Sequence, residues 1–305
     1  MKHPLHAVAL LTICLLMGSW PTSAPCEDST STRPNELKFL AIGCGPYSPA
    51  EQEKLEEYVG LENSRAQGEF LVHLGDIMHG GHPAPTSYYA EIARILRGTD
   101  MPTFIVPGDN EWNDLPEPDR GWQNWTQFFM HFYRHWDSGG ELKTMYPISD
   151  GVQHQVERPE NFAFVRSGVL LVGINLPGGR VHDADEWARR LPQDARWVEH
   201  NYQRYGDQVR AAVILAQAAP QDPFTESFRA ASKAFGKPVL YLHADEKTIL
   251  RRYSETRRRH PLTSDNRTLV DAVAADIALT RPIAEKADVS IDTSRLNIHQ
   301  LRDLV

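Results

Sequence analysis

The sequence predicts an α/β fold, and three observations carry that prediction. Short apolar β-type runs alternate with helical patterns between Leu37 and Val106. Two of those runs end in Gly-Asp turns, His73-Leu74-Gly75-Asp76 and Ile105-Val106-Pro107-Gly108-Asp109. Further apolar runs follow at Phe162, Val169, Ala211 and Val239, separated by polar and helical stretches. Carboxylates at the C-terminal ends of strands gather at one sheet edge, where α/β proteins build their sites.

The elements follow in order. Leu37 to Ile42 reads as a strand ended by Gly43-Cys44-Gly45-Pro46. Ser48, Pro49 and Glu51 open a helix as N-cap, first-turn proline and capping-box acid. Phe70 to Leu74 is the next strand, Ser87 to Leu96 a helix and Thr103 to Val106 a strand. The aromatic stretch from Trp112 to Tyr146 shows helical spacing over Trp122 to Trp136; packing into a core is the plainer role, a ligand-stacking wall the sharper one. Phe162 to Val165 and Val169 to Ile174 flank Arg166-Ser167-Gly168 as a hairpin. Asp183 to Tyr205 is a long helix, or a pair interrupted near Pro192. Ala211 to Ala216 and Val239 to Leu242 are buried strands, the first ending at Gln217 and the second at His243-Ala244-Asp245.

The 305 residues suffice for one large or two small domains. A formal charge of -8 argues against nucleic acid as the main partner. At the N-terminus, Lys2, His3 and His6 precede an apolar run from Ala7 to Met17, and Thr22-Ser23-Ala24 offers small residues for cleavage. That pattern predicts a signal peptide over residues 1–24 and a secreted or periplasmic protein. Residues 25–36 are polar and read as a disordered lead. No other segment approaches 18 apolar residues, so the mature chain is expected to carry no membrane span. After cleavage Cys26 and Cys44 remain, too few for a disulfide framework.

Clustered Asp oxygens suit hard divalent cations. The Gly-Asp pair, with Gly108-Asp109-Asn110-Glu111, resembles the calcineurin-like metallophosphoesterases, whose blocks read roughly Asp-x-His, Gly-Asp, Gly-Asn-His-Glu, a lone His and Gly-His-x-His. The resemblance covers about residues 37–245 and implies a sandwich of mixed β-sheets flanked by helices, with two metals about 3.5–4 Å apart clamping a phosphoryl group. It implies Asp76 as bridging ligand, Asp109 in the Asn position and Glu111 in its own. Asn110 stands where a catalytic His is expected, making Asn110, Glu111 and the nearby His79 the candidate catalytic groups. Gln217 stands at the lone His. Asp245 and Lys247 stand at the last two His, with His243 the best-placed nitrogen ligand. Cys44 and Pro46 replace the first block. The implied cofactor is a divalent metal, Mn, Fe or Zn, held by Asp76, Asp109, His243, Asp245 and Gln217, and the implied partner a small phosphorylated substrate or anionic ligand. His73, inside a strand, reads as a core histidine. The blocks Arg158-Pro159-Glu160-Asn161-Phe162-Ala163-Phe164, Val172-Gly173-Ile174-Asn175 and Asp185-Glu186-Trp187-Ala188-Arg189-Arg190 resemble a subset of secreted bacterial members.

From about Val239 the chain changes character. Ser254-Glu255-Thr256-Arg257-Arg258-Arg259-His260-Pro261-Leu262, Ala287-Asp288-Val289-Ser290-Ile291-Asp292 and Asn297-Ile298-His299-Gln300-Leu301 resemble the nucleotide-binding domain of the RNase adapter (RapZ) family over residues 239–305. That family's phosphate loop, Gly-x-x-x-x-Gly-Lys-Ser/Thr, does not occur in this sequence. Its cytoplasmic location conflicts with an export signal. The expectation for residues 246–305 is a C-terminal βαβ-type segment, with a helix over about 269–285 and a strand at 288–291 lying near Val239–Leu242. Function reads as a metal-dependent phosphoester hydrolase with eroded ligands, weakly active or inactive. The alternatives are a non-catalytic binding protein on that scaffold and a nucleotide- or RNA-linked regulator.

Overall fold

Two sheets pack through phenylalanine, and the alternation of their strands decides which side chains meet. A computed structural model describes residues 9–13, 37–66, 68–81, 83, 85–138 and 151–243. In the first sheet β2 (Leu37–Ile42), β3 (Leu71–His73) and β4 (Thr103–Ile105) run parallel, and β1 (Ala9–Ile13) adds antiparallel to β2. The second sheet has the order β5 (Gln153–His154), β6 (Phe162–Arg166), β7 (Val169–Gly173), β8 (Ala211–Ala216), β9 (Val239–His243). Here β5, β6 and β7 are antiparallel neighbours, while β7, β8 and β9 run parallel.

Because strand side chains alternate faces, Phe70, stacked on Phe39, and Phe104 on the first sheet's side meet Phe162 and Phe164 of the second. Phe70 lies edge-on to Phe164 at 5.3 Å, and Phe104 stacks on Phe164 at 4.6 Å. Each fully buried phenylalanine contributes up to about 3 kcal/mol. The outer faces bury against helices. Leu40, Ile42, Leu71 and Ile105 pack with α1 (Pro49–Arg65), α2 (Thr86–Leu96) and α3 (Pro118–Phe129). Leu170, Val172, Ala212 and Ile214 pack with α4 (Ala184–Tyr205) and α5 (Phe224–Phe235). This is the mixed-sheet α/β sandwich expected from the sequence.

Local signals behave as read at several points. Ser48 caps α1 by accepting from the Glu51 N–H at 3.3 Å. The β6–β7 hairpin turns on Ser167 (φ 49°) and Gly168 (φ 71°), both left-handed as a tight two-residue turn requires.

One expectation needs correction, one pair of alternatives is decided, and one helix was not foreseen. The helix over Trp122 to Trp136 is not continuous: α3 stops at Phe129, His131 takes φ 55°, and a 3-10 turn spans Phe132–Ser138. The tryptophans of this stretch are mostly core, with Trp112, Trp125 and Trp136 buried. Pro192 does not split the long helix, since α4 runs through it. An interior proline costs about 3 kcal/mol, but burial of Trp187, Leu191, Trp197 and Val198 along one face offsets it. The unforeseen helix is α5, where Phe224, Phe228, Ala231 and Phe235 have helical spacing and Gly236 ends the helix at φ 66°.

The leader expected over residues 1–24 enters the described structure only as β1, paired with β2 from Ala9↔Ala41 to Ile13↔Leu37. The lead at 25–36, Asp245, Lys247 and the βαβ-type segment over 246–305 lie outside the described residues. Among the described residues no helix is long and apolar enough to cross a membrane.

Candidate site at the Gly-Asp edge

Parallel β2, β3, β4 and β7, β8, β9 bring their C-terminal ends to an edge where two chain turns almost touch. A Cβ on Gly75 (φ +82°) would lie 2.7 Å from the Gly108 Cα, and one on Gly108 would lie 2.2 Å from the Asp76 nitrogen. Only glycine permits that approach. Asp76 itself takes the left-handed conformation, φ 59°, which Asp tolerates better than most residues.

Glu111 fastens the two turns together. Its buried carboxylate accepts from the backbone N–H of Gly108 at 2.7 Å and from those of Asp76 and Ile77 at 3.2 Å each. Burial raises its pKa to about 7, partly opposed by the Gly108 N–H. Glu111 thus braces the site through backbone groups. Tyr89 adds to the brace by donating its hydroxyl to the Glu111 carbonyl at 2.8 Å.

Asp76 and Asp109 lie close enough for their carboxyls to hydrogen-bond each other, and one amide donates to both. Gln217, one residue past β8, donates Nε2 to Asp76 Oδ2 at 2.9 Å and to Asp109 Oδ1 at 3.0 Å. The amide's orientation follows from its other end, because the Gly178 N–H donates to Gln217 Oε1 at 2.6 Å. Cys44 Sγ donates to Asp76 Oδ2 at 3.4 Å, and the Asn110 N–H to Asp76 Oδ1 at 3.3 Å. Burial, then the charge of Asp109, holds the Asp76 carboxyl well above the usual carboxylate range. Burial and Asp76 push the Cys44 thiol up as well, so it stands as a neutral donor.

The remaining candidates are spread around this pair. Asn110 is half-buried, with Nδ2 donating to the Tyr47 hydroxyl at 3.5 Å. Tyr47 escaped the sequence reading; its place one residue before the Ser48 cap, on the loop that carries Cys44, was the available signal. His79 is exposed, with Nδ1 2.8 Å from the Gly80 carbonyl and its ring edge-on to Tyr47. His73 is a core histidine: its Nε2–H donates to the Gly45 carbonyl at 3.0 Å, and burial lowers its pKa to about 4. His243 closes β9 half-buried, its ring 5.9 Å from Tyr241. Asp245 lies outside the described residues.

A dinuclear divalent centre needs several anionic oxygens and imidazole nitrogens converging on two cations. The donor set here does not fit one. The convergence point of the Asp76 and Asp109 oxygens is met by the hydrogens of an amide, which repel a cation. Among the described residues no group of three or more His, Cys, Asp and Glu side chains is placed to hold a metal.

The other motif blocks form a second polar cluster, buried beside α4. Arg190, fully buried, donates Nε to both Glu186 oxygens at 3.0 Å and Nη1 to the Asn175 carbonyl at 2.6 Å. Its guanidinium lies 4.1 Å from the Trp187 ring centroid and 5.2 Å from that of Trp112. Arg158 reaches the same Glu186 at 2.8 Å. Asn161 donates to Asp194 at 2.7 Å, and Asn175 to Glu160 at 2.8 Å. Burial raises the Asp194 pKa to about 8. Trp112, next to Glu111, links this cluster to the Gly-Asp turns.

Comparison with known proteins matches the calcineurin-like phosphoesterase family over residues 38–253 and the RapZ-like N-terminal domain over residues 207–305. The second match begins earlier than the resemblance at 239–305 and reaches back over β8, α5 and β9, so both families claim the same parallel β-α-β unit. A nucleotide-binding protein of Ectopseudomonas mendocina is 55% identical over 65 residues, 21% of this chain and 23% of that one. One from Pseudomonas fluorescens is 57% identical over 67 residues, 22% of this chain and 24% of that one. The chain thus spans about a quarter of the length of these curated relatives. A crystal structure of a Thermus thermophilus protein overlays on 67% of this chain and 80% of that one, at 16% identity and a TM-score of 0.33. A sandwich of two mixed sheets, an Asp-bearing edge and a family match over residues 38–253 converge: the chain belongs to the calcineurin-like phosphoesterase family.

Proposed function

We propose that this chain is a phosphoesterase-fold binding protein rather than a two-metal hydrolase. The observation that carries the reading is the Gln217 amide, donating to Asp76 at 2.9 Å and to Asp109 at 3.0 Å where a hydrolytic centre would hold cations. Asn110 and Tyr47, both half-buried, line the same edge and offer neutral donors to a small polar ligand, the phosphorylated or anionic class being the one the family brings. The weakly active hydrolase reading requires Gln217 to swing away and divalent Mn, Fe or Zn to enter between Asp76 and Asp109. Turnover of bis(p-nitrophenyl) phosphate by the full chain, with each metal added in turn, decides between them. We expect rates equal to those of the Asp76→Asn variant; metal-dependent turnover lost in that variant would establish the hydrolase.

A second reading rests on the RapZ-like match over residues 207–305, since the relatives it brings are named nucleotide-binding proteins. Arg251, Arg252, Arg257, Arg258 and Arg259 supply cations for phosphates. Without a Gly-rich phosphate loop in this sequence, the backbone cradle such binding uses is missing. Retention of labelled ATP or GTP by the full chain tests it. Export remains part of the proposal, supported by Lys2, the apolar run Ala7 to Met17 and the small residues Thr22-Ser23-Ala24. N-terminal sequencing of the protein recovered outside the cytoplasm checks it, and a start near Pro25 is expected.

A further inference from the structure

Two imidazoles meet where α3 gives way to the 3-10 turn. The ring centroids of His131 and His154 lie 3.9 Å apart. Both rings address the same acceptor: His131 Nε2 is 3.2 Å from the Pro159 carbonyl oxygen, and His154 Nδ1 is 2.8 Å from it. His154 Nδ1 also lies 3.1 Å from the Asn161 carbonyl. Facing two carbonyls, that nitrogen carries the ring proton, and Nε2 is left to accept from the Tyr133 hydroxyl at 3.0 Å. One carbonyl oxygen has lone pairs for two N–H donors, so the contact closes with both rings neutral.

The contact ties two weak points of the chain together. His131 takes φ 55°, an uncommon conformation for a residue with a Cβ. His154 ends β5, a two-residue strand at one end of the second sheet's order, paired to β6 through Gln153↔Ala163 and His154↔Phe162. The charge acting on both rings is cationic, from Arg134 in the 3-10 turn. Asp137 of the same turn bears on the Tyr133 hydroxyl. On its other side His154 shares a cleft with Glu157 and with Arg196, Glu199, His200 and Arg204 of α4, whose charges oppose one another. Burial, then the neighbouring His131, lowers the His154 pKa to about 4, and burial lowers that of His131. A proton arriving on His154 would land on Nε2 and turn an acceptor into a donor facing the Tyr133 hydroxyl. Protons on both rings would set two imidazoliums against each other beside Arg134.

We propose that His131 and His154 form an acid-released clasp: neutral, they hold the break after α3 to the segment from Gln153 to Asn161, and protonated, they part and let β5 come away from β6. The clasp is independent of the Gly-Asp edge. Its sign follows from the lowered affinity for protons in the closed state. The parted rings titrate near the ordinary 6.5, so the clasp is fully effective above that pH and opens as pH falls from 6.5 towards 4. Amide hydrogen exchange on the full chain, followed by NMR at pH 7 and pH 5 and expressed as protection factors, tests it. The Gln155 and Asn161 amides, which donate to the Asn161 and Arg158 carbonyls, should lose protection at least about tenfold at pH 5, while those of β7 and β8 keep theirs. His131→Gly suits the left-handed backbone and should fold. It should shrink that loss severalfold and move the His154 titration up by at least about half a pH unit, read from the imidazole nitrogens. His154→Asn should shrink the loss in the same way. Protection unchanged at pH 5, a loss shared equally with β7 and β8, or a His154 titration unmoved in His131→Gly would overturn the proposal.

Discussion

The molecule holds two buried polar clusters, one at the Gly-Asp edge and one beside α4, and they solve the same electrostatic problem in opposite ways. Beside α4, the carboxylates of Glu186 and Glu160 sit with Arg190 and Arg158, one guanidinium fully buried against a stacked pair of indoles. At the Gly-Asp edge, Asp76 and Asp109 lie in contact and share one uncharged amide donor, with a thiol and a backbone N–H as further donors to Asp76. The first cluster sets carboxylates against guanidiniums, although burial raises the pKa of its Glu160 and Asp194 carboxyls as well. The second limits its charge by keeping carboxyl groups from ionising, as the raised Asp76 pKa records. Matched buried charges hold a fold in one arrangement, whereas like charges bridged only by neutral donors leave a site responsive to whatever arrives there.

The largest break in this comparison is expected on the matched side. Arg190→Met removes one partner of a buried ion pair together with its stacking on Trp112 and Trp187. A loss of about 3–5 kcal/mol in urea unfolding is expected. On the other side, Gln217→Ala leaves the two carboxyls without their shared donor and the Gly178 N–H without its acceptor, at a cost of about 1–3 kcal/mol. Gln217 donates to the ionised carboxylates, so its removal raises the folded Asp76 pKa further, and that loss should grow only as pH rises through the folded Asp76 pKa, which burial holds well above 3.8. A loss independent of pH would mean that the carboxyls do not set its size.

Asp194 is the exception within the α4 cluster, since burial raises its pKa from 3.8 to about 8. The folded state then binds a proton that the unfolded state has lost, so stability falls as pH rises from about 4 to 8. Asp194→Asn should flatten that window in pH-dependent melts, and an unchanged slope would place the titration elsewhere. The smallest effect is expected from His79→Ala, an exposed residue whose replacement should change stability by no more than about 0.5 kcal/mol. A larger change would reveal an unrecognised support for Tyr47.

Much of the fold could be read directly because its signals are local. Ser48 and Pro49 start α1, Ser167-Gly168 turns the hairpin, and Gly75 and Gly108 stand where two turns cross. The Gly-Asp turns at the ends of β3 and β4 are equally local signals. What stayed hidden depends on tertiary contacts. The spacing from Trp122 to Trp136 does not reveal the left-handed His131, and a proline rule cannot weigh the packing that carries α4 through Pro192. Gln217 was legible only as a missing histidine. That its amide would bridge two carboxyls depends on Gly178, 39 residues away, fixing the amide's orientation. The motif blocks at Arg158 and Arg190 were noticed as motifs, but their convergence on Glu186 is visible only once β6, β7 and α4 are packed.

Metal stoichiometry measures most directly whether Gln217 stands in for the cations. The full chain, loaded with manganese, iron or zinc and desalted, would be assayed by inductively coupled plasma mass spectrometry. An amide that fills the convergence point of Asp76 and Asp109 predicts well under one metal per chain, unchanged by Asp76→Asn. Close to two metals per chain, lost in that variant, would contradict the account and return the site to hydrolysis.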